Sequence, residues 1–393
     1  MKYKILKIIA IGLLVTLITL TTQYVTIFSK PKILLSTSDK PEYISYIKNV
    51  KLQENLETEV SEIIKLQLDK LETEVSEIIS IRQSEDIDLL REKLIVLLFG
   101  NSRLPSSSDL KVFDNIKDNR YDDISSLNRI DKLRVMMDFG IESNVYHFIP
   151  KQPNNKVVLY HEGHDGDFYA GKSQIRRFLE NGYSVVAFAM PLLGLNNQPT
   201  VKIPRIGSLS LTSHDKMKFL SLLPENSGHP LKYFVEPVFI VLNYLEKNFK
   251  YSSVSMVGIS GGGWTTTIAA AIDPRIQHSF PVAGSYPIHL RDARDWGDYE
   301  QNETEIYTTV NYLELYILGA YGVDRKQIQI INQYDSCCFA GKKWRIYVGK
   351  LREVIHKMNG KGEFDVFMDS SHKEHIISDL AMSKILEEIL GLS

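Results

Sequence analysis

Short apolar runs alternate with segments of helical spacing over most of the chain beyond residue 130. The pattern predicts an antiparallel hairpin at 130–150 around Gly140, strands at 156–160, 183–190, 254–257, 328–334 and 364–368, and helices at 172–181, 233–248 and 377–390. Strands that alternate with helices indicate an α/β protein with a mainly parallel sheet covered by helices on both faces.

Before this region, residues 51–79 carry apolar positions that step by threes and fours, which is the spacing of one helix face. The segment contains an internal duplication, because 56–64 recurs at 71–79 with an offset of 15 residues. It predicts a helical stalk of about 30 residues. Its apolar stripe has two candidate partners, a second copy of the chain in a coiled coil or the domain that follows, and two repeats do not decide between them.

The amino terminus carries 22 uncharged and mostly apolar residues, from Ile8 to Ser29. A helix needs about 20 such residues to cross a bilayer. A cleavable signal peptide would have a shorter apolar region and an Ala-x-Ala-like site, which we do not find here. Three lysines precede the run, so we expect an uncleaved single-pass membrane anchor with the rest of the chain outside the cytoplasm. The predicted divisions are an anchor at 1–30, a stalk at 31–100 and a globular domain at 101–393.

One motif, Gly258-Ile259-Ser260-Gly261-Gly262, lies between the apolar run at 254–257 and a small-residue helical segment at 264–271. A serine on a sharp turn from strand to helix has an accessible hydroxyl beside a free backbone N–H, which is how many hydrolases present their nucleophile. We therefore expect Ser260 to be a nucleophile. The alternative is a glycine-rich turn whose serine only caps a helix.

A serine nucleophile needs an imidazole base and a carboxylate that orients the imidazole. Asp335 follows the predicted strand at 328–334 and is the preferred acid, with Asp369 as second candidate. Two histidines follow the last strand. We prefer His372 as the base because it lies about three residues past that strand, whereas His375 adjoins the start of the last helix.

The loop after the strand at 156–160 reads His161-Glu162-Gly163-His164-Asp165. In addition to the N–H of Gly261, the second backbone donor of an oxyanion hole is expected here, at Gly163 or His164. Its imidazoles and carboxylates also suggest zinc or iron ligands. Four ligands within five consecutive residues do not easily converge on one ion, so we expect no metal from them.

Together these residues resemble the α/β-hydrolase superfamily, and in particular its esterase and dienelactone-hydrolase branch, over about 129–393. The resemblance implies an α/β-hydrolase fold and no cofactor. The site residues that it implies are the nucleophile Ser260, the acid Asp335, the base His372 or His375, and the oxyanion donors Gly261 and Gly163 or His164. His-Glu-Gly-His stands where lipases often have His-Gly-Gly-Gly, which leaves the subfamily open.

Two long connections, 191–232 and 288–326, leave the edge of the sheet where ligands bind in such folds, so they are candidates for a lid or pocket wall. The second contains six aromatic residues, which serve equally well as a local core. It also contains Asp292, Asp295, Asp298 and Glu300. Contact with sugar hydroxyls is one reading of these residues, and a solvated acidic loop is the one we expect.

The composition changes this picture little. A net charge of −2 gives no basic excess for binding nucleic acid, and 44% hydrophobic residues suffice for a large core. The only cysteines are the neighbours Cys337 and Cys338. We expect them to be reduced, packed thiols rather than a strained disulfide.

The leading hypothesis is a membrane-anchored serine hydrolase that cleaves carboxylic esters of small molecules or glycans, with self-association through the stalk as an open option. A peptidase similar to prolyl oligopeptidase and an acyltransferase are the catalytic alternatives. Only about 100 residues precede the domain, without the blade repeats of a propeller, which disfavours the peptidase. The third hypothesis is a non-catalytic scaffold protein with the same hydrolase fold.

Overall fold

The computed structural model describes residues 75–106, 110–204, 206–223, 228–296, 298–358 and 361–391. The predicted membrane anchor at 8–29 and the predicted stalk up to residue 74 lie outside the described residues. Within the described ranges, no helix has both the length and the apolar character needed to cross a bilayer.

In the part of the chain that the structure describes, nine strands form one sheet in the order β1-β2-β3-β5-β4-β8-β9-β10-β11. The strands of this sheet are β1 (Leu110–Ile116), β2 (Leu127–Met136), β3 (Glu142–Pro150), β4 (Lys156–His161), β5 (Ser184–Phe188), β8 (Ser253–Ile259), β9 (His278–Val282), β10 (Arg325–Asn332) and β11 (Gly362–Asp369). Two further described strands, β6 (Thr200–Ile203) and β7 (Gly207–Ser210), form a separate antiparallel hairpin.

Helices cover both faces of the sheet. The helices are α1 (Ser84–Phe99), α2 (Lys172–Glu180), α3 (His214–Met217), α4 (Lys232–Asn248), α5 (Gly261–Ile272), α6 (Tyr299–Asn302), α7 (Thr304–Thr309), α8 (Tyr312–Ala320), α9 (Val348–Lys357) and α10 (Asp379–Leu390). One apolar core contains the buried faces of α1, α4, α5, α8 and α9, and a second core contains those of α2 and α10.

The strand directions explain where a site can form. β4, β5, β8, β9, β10 and β11 run parallel, whereas β1, β2 and β3 are antiparallel. The predicted hairpin at 130–150 and the predicted alternation of strands and helices are therefore confirmed. In a parallel sheet the carboxyl ends of the strands share one edge, so the loops after β4, β8, β10 and β11 lie along the same side of the molecule.

The chain just before α1 packs on this domain. Val75, Ile79 and Ile81 are buried in the same core as α1. The backbone N–H and the hydroxyl of Ser80 both donate to Oε1 of Glu314 in α8, at 2.8 and 2.5 Å. Residues 75–99 fall in the segment that the sequence assigned to the stalk, and there Val75 and Ile79 of the apolar stripe are covered by the domain itself.

A matched pair of substitutions tests this packing. Ile79 is fully buried, whereas its neighbour Ile78 is 39% exposed. Ile79→Ala leaves a cavity, so we expect it to lower the free energy of unfolding by about 2–5 kcal/mol. Ile78→Ala should lower it by less than about 1 kcal/mol. Urea unfolding of the purified chain compares the two, and equal effects would show that this segment does not belong to the core.

The two long connections have structure of their own. The first contains the β6–β7 hairpin and α3, and the second contains α6, α7 and α8. Of its aromatic residues, Tyr299, Tyr307, Tyr312 and Tyr316 are buried, so these four contribute to a core. The predicted solvated acidic loop is wrong for two of its four members. Asp295 and Glu300, which lies in α6, are both buried. Asp295 accepts hydrogen bonds from the backbone N–H groups of Asp292 and Phe339, which hold it inside.

Candidate active site

Ser260 lies at the turn between β8 and α5, as predicted. Its backbone has φ 56° and ψ −124°. A residue other than glycine adopts a positive φ of this kind only when its surroundings enforce it. The turn is so tight that a Cβ on Gly258 would lie 2.1 Å from the carbonyl oxygen of Gly262. The N–H of Ser260 donates to the carbonyl of Val282 in β9 at 2.9 Å, which fixes the turn to the sheet.

Asp335 and His375 form a hydrogen-bonded pair. Asp335 follows β10 and is buried, and its Oδ2 lies 2.8 Å from Nδ1 of His375 in the loop between β11 and α10. Since a carboxylate can only accept, Nδ1 carries the hydrogen and Nε2 keeps a lone pair. Nε2 is buried and has no hydrogen-bond partner among the described residues.

The preferred histidine of the sequence analysis, His372, does not lie at Asp335. Its Nε2 lies 3.4 Å from Oδ2 of Asp369, the second-choice acid. Asp369 also accepts hydrogen bonds from Ser371 and from the hydroxyl of Ser378, the residue before α10. These contacts turn the loop directly after β11, which keeps His372 beside Asp369 and brings His375 to Asp335. The geometry therefore favours His375 over His372 as the base.

The carboxylate of Asp335 has further donors. The backbone N–H groups of Cys337 and Cys338 donate to its Oδ1, at 2.8 and 3.4 Å. Burial alone would raise the pKa of Asp335, but the hydrogen bond and charge of His375 and the donors around it lower the pKa below its ordinary value. Cys337 and Cys338 are joined by a disulfide, where the sequence analysis expected reduced thiols. The two donors to Asp335 are backbone groups, so the sulfur atoms themselves do not hold the carboxylate.

The predicted oxyanion donors lie around Ser260. Gly261 is the first residue of α5, so its N–H is one of the unpaired donors of a helix start. A Cβ on Gly163 would lie 2.8 Å from Cβ and 3.5 Å from Oγ of Ser260, which places the loop after β4 against the serine. The N–H of Gly163 donates to Oε1 of Glu162 at 2.9 Å, which leaves the N–H of His164 as the candidate donor from this loop.

Gly163→Ala tests this close approach. The added methyl would also lie 2.9 Å from the carbonyl oxygen of Ile259, so the loop must move away from the serine. We expect ester turnover to fall about 100-fold or more, since a displacement of about 1 Å in a catalytic group has that effect. Gly349→Ala is the control, because a Cβ there meets no atom within 4 Å. Turnover unchanged by Gly163→Ala would remove this loop from the site.

The four residues first considered as metal ligands do not converge. His161 Nδ1 lies 2.8 Å from the carbonyl oxygen of Glu162, and its ring stacks on Phe188. Glu162 accepts from the Tyr160 hydroxyl at 2.7 Å and from the N–H of Gly163. Both side chains are therefore occupied by contacts that stabilise the loop from its buried side.

Buried histidines make the fold sensitive to acid. Burial lowers the pKa of His161 and of His147, in β3, to about 4 from an ordinary value of 6.5. The unfolded chain then binds more protons than the folded chain between these values, so stability is lost as the pH falls from 6.5 towards 4. We expect the free energy of unfolding to be about 2 kcal/mol lower per histidine at pH 5 than at pH 7.5. Urea titrations at the two pH values measure this difference in the free energy of unfolding. If the difference is as large in His147→Gln as in the unchanged chain, burial of His147 is not its cause.

A second cluster adjoins the candidate site and was missed by the sequence analysis. His164 Nε2 lies 3.5 Å from Oε1 of Glu300, and the rings of His164 and His214 have centroids 5.1 Å apart. The His164 ring also packs against Gly261, since a Cβ there would lie 2.6 Å from its Cε1. Burial raises the pKa of Glu300 to about 8. No sequence spacing connects these three residues, because they come from three separate segments.

Comparisons with known proteins agree with the observed topology. No model of a protein family and no curated protein matches the chain. Among solved structures, the methylesterase BT1017 is similar with a TM-score of 0.58 and 14% identity, over 83% of this chain and 69% of that chain. An acetyl xylan esterase from Thermoanaerobacterium sp. JW/SL YS485 has a TM-score of 0.51 and 14% identity, over 78% of this chain and 94% of that chain. Another, from Paenibacillus sp. R4, has a TM-score of 0.50 and 14% identity, over 80% of this chain and 96% of that chain. The chain thus has an α/β-hydrolase-like fold with a mostly parallel sheet, as the elbow and the alternation of strands and helices predicted.

Proposed function

We propose that the protein is a serine hydrolase that cleaves carboxylic esters, with Ser260 as nucleophile, His375 as base and Asp335 as the acid that orients the base. The observation that carries the proposal is the 2.8 Å contact between Asp335 and Nδ1 of His375, with the opposite ring nitrogen buried and unpartnered. Ser260, Asp335 and His375 follow β8, β10 and β11, whose carboxyl ends share one edge of the sheet.

The first half of the reaction follows from which nitrogen of His375 carries the hydrogen. Asp335 holds the hydrogen of His375 on Nδ1, so Nε2 accepts the proton of the Ser260 hydroxyl as its oxygen attacks the ester carbonyl. The N–H of Gly261 and the N–H of His164 donate to the oxyanion that forms. The imidazolium then gives its proton to the departing alcohol, which leaves the acyl group on Ser260.

Water completes the cycle by the same route. His375 takes a proton from water, the hydroxide attacks the acyl carbonyl, and the proton returns to the Ser260 oxygen. Asp335 stabilises the imidazolium in both halves, which agrees with its lowered pKa. An acyltransferase would replace water by another alcohol in this second half, and the triad alone does not distinguish the two.

The first substrates to test are short acyl esters, including those on carbohydrates. Two of the structural neighbours are named acetyl xylan esterases and one a methylesterase. We measure turnover of 4-nitrophenyl acetate, of an acetylated oligosaccharide and of a matched 4-nitroanilide. Ester turnover that is lost in Ser260→Ala supports the proposal. Anilide turnover above ester turnover would favour the peptidase, and no turnover of any of them would favour the scaffold.

We also propose that the segment from Ile8 to Ser29 anchors the chain in a membrane, with the enzyme outside the cytoplasm. Its 22 uncharged residues meet the length that a bilayer requires. The chain should remain in the membrane fraction after carbonate extraction, and a variant lacking residues 1–30 should not. Sedimentation of this shortened variant then tests self-association through the stalk.

A further inference from the structure

We propose that His164, His214 and Glu300 form a binding site for a divalent transition-metal ion, with zinc as the best match. One ligand atom from each residue lies within 4.8 Å of the other two. Two imidazoles and one carboxylate are a ligand set that zinc commonly takes. The site is distinct from the run His161 to Asp165, because only His164 of that run takes part.

The distance between two of the three ligand atoms already suits an ion. Ligand atoms bound about 2.0–2.1 Å from a tetrahedral ion lie about 3.4 Å from each other. His164 Nε2 and Glu300 Oε1 are separated by 3.5 Å, so an ion between them needs little movement.

The polar atoms of the cluster lack other partners. Nε2 of His164 and both carboxylate oxygens of Glu300 are buried without a hydrogen bond to any described residue. The Glu300 side chain is 0% exposed, and an unpaired buried carboxylate is expensive. A bound cation would satisfy all three atoms at once.

The hydrogen bond of His214 leaves one of its ring nitrogens able to bind an ion. Its Nε2 lies 2.7 Å from the carbonyl oxygen of Pro191, and since a carbonyl only accepts, Nε2 must carry the hydrogen. Nδ1 therefore keeps the lone pair that an ion requires. A backbone carbonyl that fixes the tautomer in this way is the usual outer partner of a metal-binding histidine.

The surrounding charge favours a cation. Glu300 interacts with the carboxylates of Asp298 and Asp215, and Arg291 is the opposing positive group. Oδ1 of Asp298 lies 3.9 Å from Nε2 of His164, and the Asp298 side chain is partly exposed, so this carboxylate or water is available as a fourth ligand.

The ion would join three segments at the mouth of the candidate active site. His164 lies in the loop after β4, while His214 and Glu300 lie in the two long connections, in α3 and α6. The same residue, His164, offers its backbone N–H to the oxyanion and its side chain to the ion. Bound metal would therefore hold the oxyanion loop in place.

Zinc binding tests the inference without any measure of ester turnover, so its failure and that of the proposed function are distinguishable. The whole purified chain is stripped with a chelator, dialysed against zinc and analysed for metal content. We expect about one zinc ion per chain, bound more than about tenfold more weakly in His214→Gln and in Glu300→Gln, since losing even an outer partner of a ligand has that effect. His356→Gln, an exposed histidine in α9, should bind as the unchanged chain does.

A second cluster with ligand chemistry among the described residues, formed by Cys337, Cys338 and His375, is tested by a separate variant. Zinc retained by His214→Gln and Glu300→Gln but lost in the double variant Cys337→Ser, Cys338→Ser would overturn the assignment. The cobalt-substituted protein adds an optical test, because thiolate ligands give an intense near-ultraviolet band that nitrogen and oxygen ligands do not. If circular dichroism shows that one of the two ligand variants does not fold, the zinc affinity of the other variant decides. An unchanged chain that retains no zinc refutes the site.

Discussion

Ser260→Ala is expected to lower kcat for a short-chain aryl ester by about 10⁴-fold or more. The hydroxyl is the only group at this turn that can form the acyl-enzyme, so no other residue replaces it. Alanine in place of serine keeps the backbone turn, which the hydrogen bond to Val282 and the contact between Gly258 and Gly262 hold in any case.

Stability separates this effect from misfolding. The melting temperature of Ser260→Ala should differ from that of the unchanged chain by only a few degrees. Ser255→Ala is the matched control, since Ser255 is buried in the same strand and lies away from the turn. Turnover retained in Ser260→Ala, or lost equally in Ser255→Ala, would contradict the role of the elbow.

His375→Ala is expected to match Ser260→Ala in its loss of rate, because members of one triad act as a unit. Without the imidazole, no base accepts the serine proton, and Asp335 is left as a buried carboxylate without its main partner. The rate should be compared on the same ester and at the same pH as for Ser260→Ala.

His372→Ala should behave differently. Its imidazole lies beside Asp369, which Ser371 and Ser378 also bind, so its loss affects the loop rather than the chemistry. We expect a reduction of less than about tenfold in kcat and a measurable loss of stability. The reverse ranking of the two histidines would transfer the base to His372 and its acid to Asp369, leaving Ser260 in place.

The sheet and the elbow could be predicted from the sequence because local signals and the fold agree there. The apolar strand before Ser260 and the small residues after it require a sharp turn whatever the rest of the chain does. The strand that ends near Asp335 is likewise read from its own apolar pattern. Ser260 and Asp335 each follow a strand, and the apolar pattern of the sequence predicts where these strands end.

The choice between two histidines could not be predicted, because it depends on the path of a loop. His372 and His375 are three residues apart, and either could reach the sheet edge if the loop were straight. The side chain of Asp369 decides the path by binding Ser378, a contact between residues nine apart that no periodic pattern records.

Tertiary contacts also explain what the sequence analysis missed in the second long connection. Glu300 lies two residues after Asp298 in an acidic stretch, so its surroundings in sequence indicate solvent. In the structure it is enclosed beside His164, and His214 comes from a different connection. Similarly, the stripe of Val75 and Ile79 has helical spacing whether a second copy or this domain covers it, and only the folded chain shows the contact.

Labelling by a fluorophosphonate probe tests the central claim most directly, because the probe bonds to a serine whose hydroxyl is activated by a neighbouring base. We predict that the purified chain is labelled once, that peptide mapping places the label on Ser260, and that His375→Ala abolishes it while His372→Ala does not. A folded, unlabelled chain, or a label on any other serine, would contradict the account.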